Sequence, residues 1–270
     1  MTKLGWSSLG TSFACACGLT HRLPIEQCHI GPDAASRLAL FARNRCGQRC
    51  LIVSDENTRQ AGGEPVLSAL TNAGKNVMEK VYGAKPIDAT DALGEEVAEA
   101  GREADFYVAI GSGSICDLAK YAGDKQGKPA LLFATAASMN GYTSAIVALK
   151  VKGLKRTAPC APALGVFADP DVVATAPARM AAAGVGDFLS KCSSSSDWRA
   201  AHFLRGGYYC ERPREFFEGT QEKLLAAAPR VGKGESGAIA DVLEALLLSG
   251  LSMVVAGSSA PARVANHSTL

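Results

Sequence analysis

The sequence has almost no net charge: 28 Lys and Arg face 26 Asp and Glu, leaving +2 over 270 residues. It carries no basic stripe, which removes nucleic acid from the expected partners. No run approaches the ~18 apolar residues of a spanning helix, so no membrane span is expected. The N-terminus has Lys3 but no long apolar stretch behind it, and so lacks the pattern of a secretory leader. The nine cysteines lack a framework. An odd count at irregular spacing reads as reduced thiols and a cytoplasmic location. Cys15-x-Cys17 and Cys46-x3-Cys50 lack the paired short spacings of a zinc ribbon, so no metal is expected on them. No internal repeat is present, and the serine run Ser193–Ser196 is expected inside a helix.

What is present is an alternation of strand-like and helix-like segments. A short strand near Leu23–Ile30 ends an irregular arm over residues 1–35. A helix over Ala34–Asn44 precedes a buried strand, Arg49–Ser54, that ends at Asp55. Pro65–Ala73 reads as a helix with proline early and Gly74 as its stop. Asn76–Tyr82 is a strand, Ala89–Glu103 a helix, and Phe106–Ile110 a strand. Strands alternating with helices of this length imply an α/β fold with a parallel sheet and right-handed crossovers. Beyond Asp169-Pro-Asp171 alanine-rich helical patterns take over: Asp171–Ala183, Val185–Leu204, Arg214–Ala228 and Ser236–Ala256. A domain boundary is expected near 165–175, with residues 1–170 as a dinucleotide-binding α/β domain and 171–270 as a partial helical domain.

The strand Phe106–Ile110 runs into Gly111-Ser-Gly-Ser-Ile-Cys-Asp-Leu-Ala-Lys120. That is strand, glycine turn, helix. Unpaired N–H groups at such a helix start suit a pyrophosphate, and glycine lets the backbone approach it. A second apolar run, Ala130–Ala134, opens into Thr135-Ala-Ala-Ser-Met-Asn-Gly-Tyr-Thr-Ser144, rich in small hydroxyls. Two adjacent strand ends with small polar loops form a dinucleotide crevice. Asp55 ends a strand where an acidic side chain meets an adenosine ribose; it favours NAD, since it would repel the phosphate of NADP.

These two segments, with Gly186-Asp-Phe-Leu-Ser-Lys191 and the following Asp197-Trp198, resemble the sn-glycerol-1-phosphate dehydrogenases of the iron-containing alcohol dehydrogenase and dehydroquinate synthase superfamily. The resemblance runs from about residue 14 to about residue 262, with its motifs in family order. It implies a nucleotide domain, an all-helical metal domain and a cleft between them. It implies that Gly111, Ser112, Gly113, Ser114 and Ile115 form the pyrophosphate loop, that Thr135 and Ser138 form the second cofactor loop, and that Ser144 makes a further cofactor contact. Asn140 matches a substrate-contacting position. Asp187 matches a metal ligand that also touches substrate.

The implied metal is one divalent ion (zinc, nickel or iron) held by one Asp and two His. His267 matches the first histidine by its distance from Gly257-Ser-Ser-Ala-Pro-Ala262, although its own context, Arg263-Val-Ala-Asn-His267, departs from the family's. The second histidine and a substrate-contacting histidine fall beyond Leu270, so the helical domain is expected to be incomplete. His21, His29 and His202 lie in other contexts. Lys120 reads as a surface residue, Trp198 as a core aromatic, and Lys155 with Arg156 as either a phosphate contact or a solvated pair.

The resemblance implies a metal- and NAD(P)-dependent oxidoreductase of phospholipid biosynthesis that interconverts dihydroxyacetone phosphate and sn-glycerol 1-phosphate. Its partner is a small phosphorylated triose or glycerol, and its expected assembly, once complete, is a homodimer. The competing readings are a truncated, inactive nucleotide-binding fragment, a glycerol or alcohol dehydrogenase, and a dehydroquinate synthase-like enzyme.

Overall fold

The computed structural model describes residues 3–262. A hairpin of β1 (Ser12–Ala14) and β2 (Thr20–Arg22) comes first, followed by β3 (Gln27–Ile30) and α1 (Ala34–Arg45). Then come β4 (Arg49–Asp55), α2 (Glu56–Asn72), β5 (Asn76–Tyr82), α3 (Asp91–Ala100), β6 (Phe106–Gly111), α4 (Gly113–Gln126) and β7 (Ala130–Ala134). A second hairpin, β8 (Ile146–Val151) and β9 (Leu154–Pro159), precedes β10 (Gly165–Ala168). The rest is helical: α5 (Pro170–Ala174), α6 (Ala178–Arg205), α7 (Thr220–Val231) and α8 (Ser236–Ala256).

Six strands form one parallel sheet in the order β3-β10-β7-β6-β4-β5. Alternate side chains of each strand face opposite layers, as the two-residue period of a strand requires. Cys50, Ile52, Phe106, Val108, Ile110, Leu131 and Phe133 meet Leu38 of α1 and Val66 and Leu70 of α2. Leu51, Val53, Tyr107, Ala109 and Leu132 meet Val97 of α3, Leu118 and Ala122 of α4, and part of α8 on the other face. From β4 the chain steps outward to β5, returns past β4 to β6, and then moves the other way to β7 and β10. The crevice between the carboxyl ends of β4 and β6 is therefore the point where the winding reverses, the place where such sheets take ligands.

Several expectations need correction. The arm over residues 1–35 is not irregular: it holds the β1–β2 hairpin, and Leu4, Leu23 and Ile25 pack on Phe216 and on Leu251 and Val255 of α8. Helix α2 begins at Glu56, so Pro65 lies in its interior and not near its start. The helix starts early because Asp55 caps it: its side chain accepts the Thr58 N–H at 2.8 Å, and Thr58 Oγ1 accepts the Asp55 N–H at 3.1 Å. The helix expected at Asp171–Ala183 is broken at Pro177, and its second half continues into one long helix, α6, that absorbs the serine run. The strands β8 and β9 were not expected. Their two-residue loop, Lys152-Gly153, has positive φ at both residues (50° and 80°), as a tight hairpin requires.

Contrary to the sequence expectation, one helix, α8, is long and apolar enough to cross a membrane by length and composition, but 72% of its most apolar window is buried inside the molecule. It is a core helix against which α5, α6 and α7 pack.

Candidate functional site

A cavity of about 570 Å³ opens at the reversal point of the sheet. Asp55 at the end of β4, Ser112, Ser114 and Ile115 at the start of α4, and Thr135 after β7 line one side; Thr175, Pro177, Arg179 and Met180, around the start of α6, line the other. The cavity thus lies between the carboxyl edge of the sheet and the helical region. Ser112 is the N-cap of α4 but makes no side-chain bond to the helix. The first N–H groups of α4, on Gly113, Ser114 and Ile115, have no intrahelical acceptor, which suits an anion. The Ser114 hydroxyl donates to the Ile87 carbonyl at 2.7 Å, tying the glycine turn to another segment that lines the cavity. Asp55 has two roles: one carboxylate oxygen caps α2, and the residue also borders the cavity.

Of the nucleotide residues expected from sequence, Asp55, Ser112, Ser114, Ile115 and Thr135 share this cavity, with Gly111 and Gly113 on either side of Ser112. Ser138 and Ser144 do not line it. Ser138 hydrogen-bonds the Tyr142 hydroxyl. Ser144 is buried and its hydroxyl contacts the carbonyls of Gly141 and Ile146 at 3.1 and 3.2 Å. Ser144 fixes the shape of the second loop rather than facing the cavity.

That loop, Thr135–Ser144, is pinned from every side. The Tyr142 hydroxyl donates to the Ala136 carbonyl at 2.6 Å, and the Thr143 hydroxyl to the Leu247 carbonyl of α8 at 2.6 Å. Lys120, expected at the surface, is 1% exposed. Its ammonium donates to the carbonyls of Gly141, Ser144 and Ile146 at 3.0, 2.8 and 2.8 Å. Burial pushes its pKa below the ordinary lysine value, opposed by the nearby Asp117 carboxylate. Asp117, one turn earlier on α4, is itself buried and accepts the Ala148 N–H of β8 at 3.0 Å; burial raises its pKa. The spacing of Asp117 and Lys120 puts both on one helix face, which was the available signal that they act inward together.

The far end of the loop meets the helical region. The Asn140 N–H donates to Asp187 Oδ2 at 3.0 Å, and the Asn140 side-chain amide reaches Ser249 Oγ at 3.1 Å and Met253 Sδ at 3.3 Å. Asp187 Oδ1 pairs with the Lys191 ammonium one turn along α6 at 2.9 Å. The fold therefore brings Asn140 and Asp187 together. Glycines make the approach possible: a Cβ on Gly250 of α8 would stand 2.1 Å from Thr143 Oγ1, and one on Gly184 of α6 would stand 2.1 Å from the Ala137 carbonyl oxygen. Neither was singled out from sequence.

The described residues do not assemble a three-ligand metal centre at Asp187. No group of three His, Cys, Asp or Glu ligand atoms among them includes it, and both of its oxygens already accept hydrogen bonds. His267 lies outside the described residues. His202 is no substitute: it lies about 22 Å further along α6, at ~1.5 Å per residue, and its Nδ1 bonds the Gly207 carbonyl at 2.6 Å. His29 pairs with Asp33. Lys155 and Arg156 are exposed on β9 and do not line the cavity at the reversal point of the sheet. Trp198 is a core residue, as expected: it is 8% exposed, with its indole N–H on the Tyr208 carbonyl at 2.9 Å.

A metal-type cluster does form elsewhere. Cys15, Cys17, His21 and Cys210 place one ligand atom each within 4.8 Å of one another. The cysteines that looked scattered in sequence are thus partly gathered in space, because the β1–β2 hairpin folds against the segment after α6.

Residues 29–177 match the family model described as iron-containing alcohol dehydrogenase. The chain is 32% identical over 258 residues to the glycerol-1-phosphate dehydrogenase [NAD(P)+] of Halalkalibacterium halodurans, covering 94% of this chain and 65% of that protein. It is 30% identical over 265 residues to the enzyme of the same name from Geobacillus stearothermophilus, covering 95% and 65%. The chain therefore spans about 65% of the length of these curated relatives. Among solved structures, the glycerol dehydrogenase of Schizosaccharomyces pombe superposes with a TM-score of 0.73 at 22% identity, covering 84% of this chain and 60% of that one. An iron-containing alcohol dehydrogenase from Thermotoga maritima gives 0.71 at 16% identity, covering 87% and 68%. The fold is shared with these solved structures, and by the family model that matches more than half of its sequence the chain belongs to the iron-containing alcohol dehydrogenase family.

Proposed function

We propose that this chain is the nucleotide-binding and substrate-facing part of an NAD(P)-dependent dehydrogenase that interconverts dihydroxyacetone phosphate and sn-glycerol 1-phosphate. The observation that carries this reading is the cavity where Asp55, Ser112, Ser114, Ile115 and Thr135 converge, linked by one pinned loop to Asn140 and Asp187. The names of the relatives from Halalkalibacterium halodurans and Geobacillus stearothermophilus supply glycerol 1-phosphate and the NAD(P) cofactor; dihydroxyacetone phosphate is the ketone that oxidation of its secondary alcohol gives.

In this reading residues 1–170 carry the nucleotide and residues 171–270 begin the helical substrate region. The free N–H groups at the start of α4 bind the pyrophosphate, and Asp55 accepts from a ribose hydroxyl. The nicotinamide, when bound, gives or takes the hydride. The loop Thr135–Ser144 sets the distance between that ring and Asn140. Lys120 holds the loop from beneath without touching the reactants. Asp187, fixed by Lys191 and the Asn140 N–H, presents a part-exposed carboxylate at the cleft's inner corner.

A second reading, nucleotide binding without turnover, is favoured by the pairing of Asp187 with Lys191, which occupies the carboxylate that the first reading would give to a metal. The two are separated by following NADH consumption with dihydroxyacetone phosphate in the presence of zinc, nickel or iron, with glycerol and ethanol as comparison substrates. Turnover that requires the phosphorylated substrate supports the first reading. NADH binding with no turnover under any metal supports the second. Faster turnover of unphosphorylated glycerol overturns the substrate assignment.

A further inference from the structure

The thiol and imidazole cluster at the base of the first hairpin lies outside the nucleotide cavity and outside the Asp187 corner. Cys15 follows β1, Cys17 lies in the turn, His21 is the middle residue of β2, and Cys210 precedes the short helical turn Arg212–Phe216. His21 Nε2 stands 3.3 Å from Cys17 Sγ and 3.6 Å from Cys210 Sγ, and Cys15 Sγ stands 3.7 Å from Cys210 Sγ. Zinc bonds of about 2.3 Å to sulfur and about 2.0 Å to nitrogen give tetrahedron edges of about 3.8 Å between sulfurs and about 3.5 Å between sulfur and nitrogen. These three distances match those edges, and all four ligand atoms lie within 4.8 Å of one another.

The surroundings fit a closed structural site. His21 is 4% exposed and Cys210 is 3% exposed. Trp198, Tyr209, Ala256 and Ala260 pack around the thiols, of which Cys210 is buried and Cys15 and Cys17 are half-buried. The Tyr208 hydroxyl lies 3.7 Å from Cys17 Sγ, an outer contact of the kind that orients a ligand. Three thiolates and one imidazole select a soft or borderline ion, and four protein ligands leave no open position for substrate.

We propose that Cys15, Cys17, His21 and Cys210 bind one structural zinc ion. The ion clamps the N-terminal hairpin to the segment that leaves α6, joining positions 195 residues apart in sequence. It thereby fixes the arm that covers the Leu251 and Val255 side of α8. This site does not depend on the dehydrogenase reading, because it shares no ligand with Asp187.

The test is metal analysis of the purified full chain, prepared under reducing conditions and passed through a weak chelator. One zinc per chain is expected. Cys17→Ser with Cys210→Ser is expected to lower the zinc content at least about tenfold, whereas Asp187→Asn leaves it unchanged. Because the double variant loses a clamp and can fail to fold, His21→Cys serves as the second variant. It keeps four ligands, retains the metal, and in the cobalt-substituted protein gains sulfur-to-cobalt charge-transfer absorption. A zinc-free folded chain overturns the proposal, as does a Cys15–Cys210 disulfide in its place, or zinc that persists in the double variant and leaves with Asp187→Asn.

Discussion

Lys120 holds three main-chain carbonyls of the second loop with one buried ammonium. Replacing it with methionine keeps the stem and removes the charge, leaving those carbonyls and Asp117 without their cation. The expected loss is about 3 kcal/mol of unfolding free energy, read by urea denaturation. NADH affinity, titrated where the variant is still folded, is expected to fall about tenfold, a loss of about 1.4 kcal/mol, because the loop bearing Thr135 loosens. Asp55 separates two roles in one side chain. Asp55→Asn keeps an N-cap of nearly equal quality but removes the charge that would repel a ribose phosphate. Stability is expected to stay within about 0.5 kcal/mol, while the preference for NADH over NADPH narrows. An unchanged ratio of the two dissociation constants contradicts the ribose role of Asp55. The position of Asp55 at the strand end beside the cavity was legible because it ends an apolar run before a helix. Lys120 was not, since its burial depends on a loop that returns from the next strand.

At the scale of elements, the decisive contact is α8 against the second loop. Gly250 has no room for a side chain: a Cβ there would also stand 2.4 Å from the Asn140 carbonyl oxygen. Gly250→Ala is expected to cost about 2 kcal/mol through overpacking, seen as a lower midpoint in urea, and to weaken nucleotide binding through the displaced loop. Gly237→Ala, near the start of the same helix where a Cβ meets nothing within 4 Å, is the control and is expected to be neutral or slightly stabilising. Equal losses in both variants contradict the close-approach argument. The bounds of α8, Ser236–Ala256, match the sequence reading, because an unbroken apolar pattern ends at Gly257, whose φ of 65° suits glycine alone. The start of α2 was misread because Pro65 looked like a first-turn residue, whereas the Asp55–Thr58 capping pair marks the true start. The β8–β9 hairpin went unread because β9 is mostly exposed and lacks a clean apolar alternation. Its one clear signal was Lys152-Gly153.

At the scale of the molecule, the chain's first residues belong physically with its last helices. The Leu4 N–H reaches Glu215 at 2.8 Å and the Trp6 indole reaches Glu244 of α8 at 3.1 Å. Leu23, fully buried in that interface, is expected to cost about 3 kcal/mol when cut to alanine, with NADH affinity unchanged because the cavity lies elsewhere. The sheet and its crevice were legible from alternating apolar periods and two glycine- and serine-rich strand ends. The cysteine cluster was not, since Cys210 joins the other three only through tertiary folding. The central claim is that the reversal point of the sheet takes a nicotinamide nucleotide. Isothermal titration of the folded chain with NADH and with NADPH tests it most directly. One-to-one binding of at least one of them, abolished when Ser112 and Ser114 are replaced by bulky acidic residues, is the expected result. A folded chain that gives no heat with either nucleotide contradicts it.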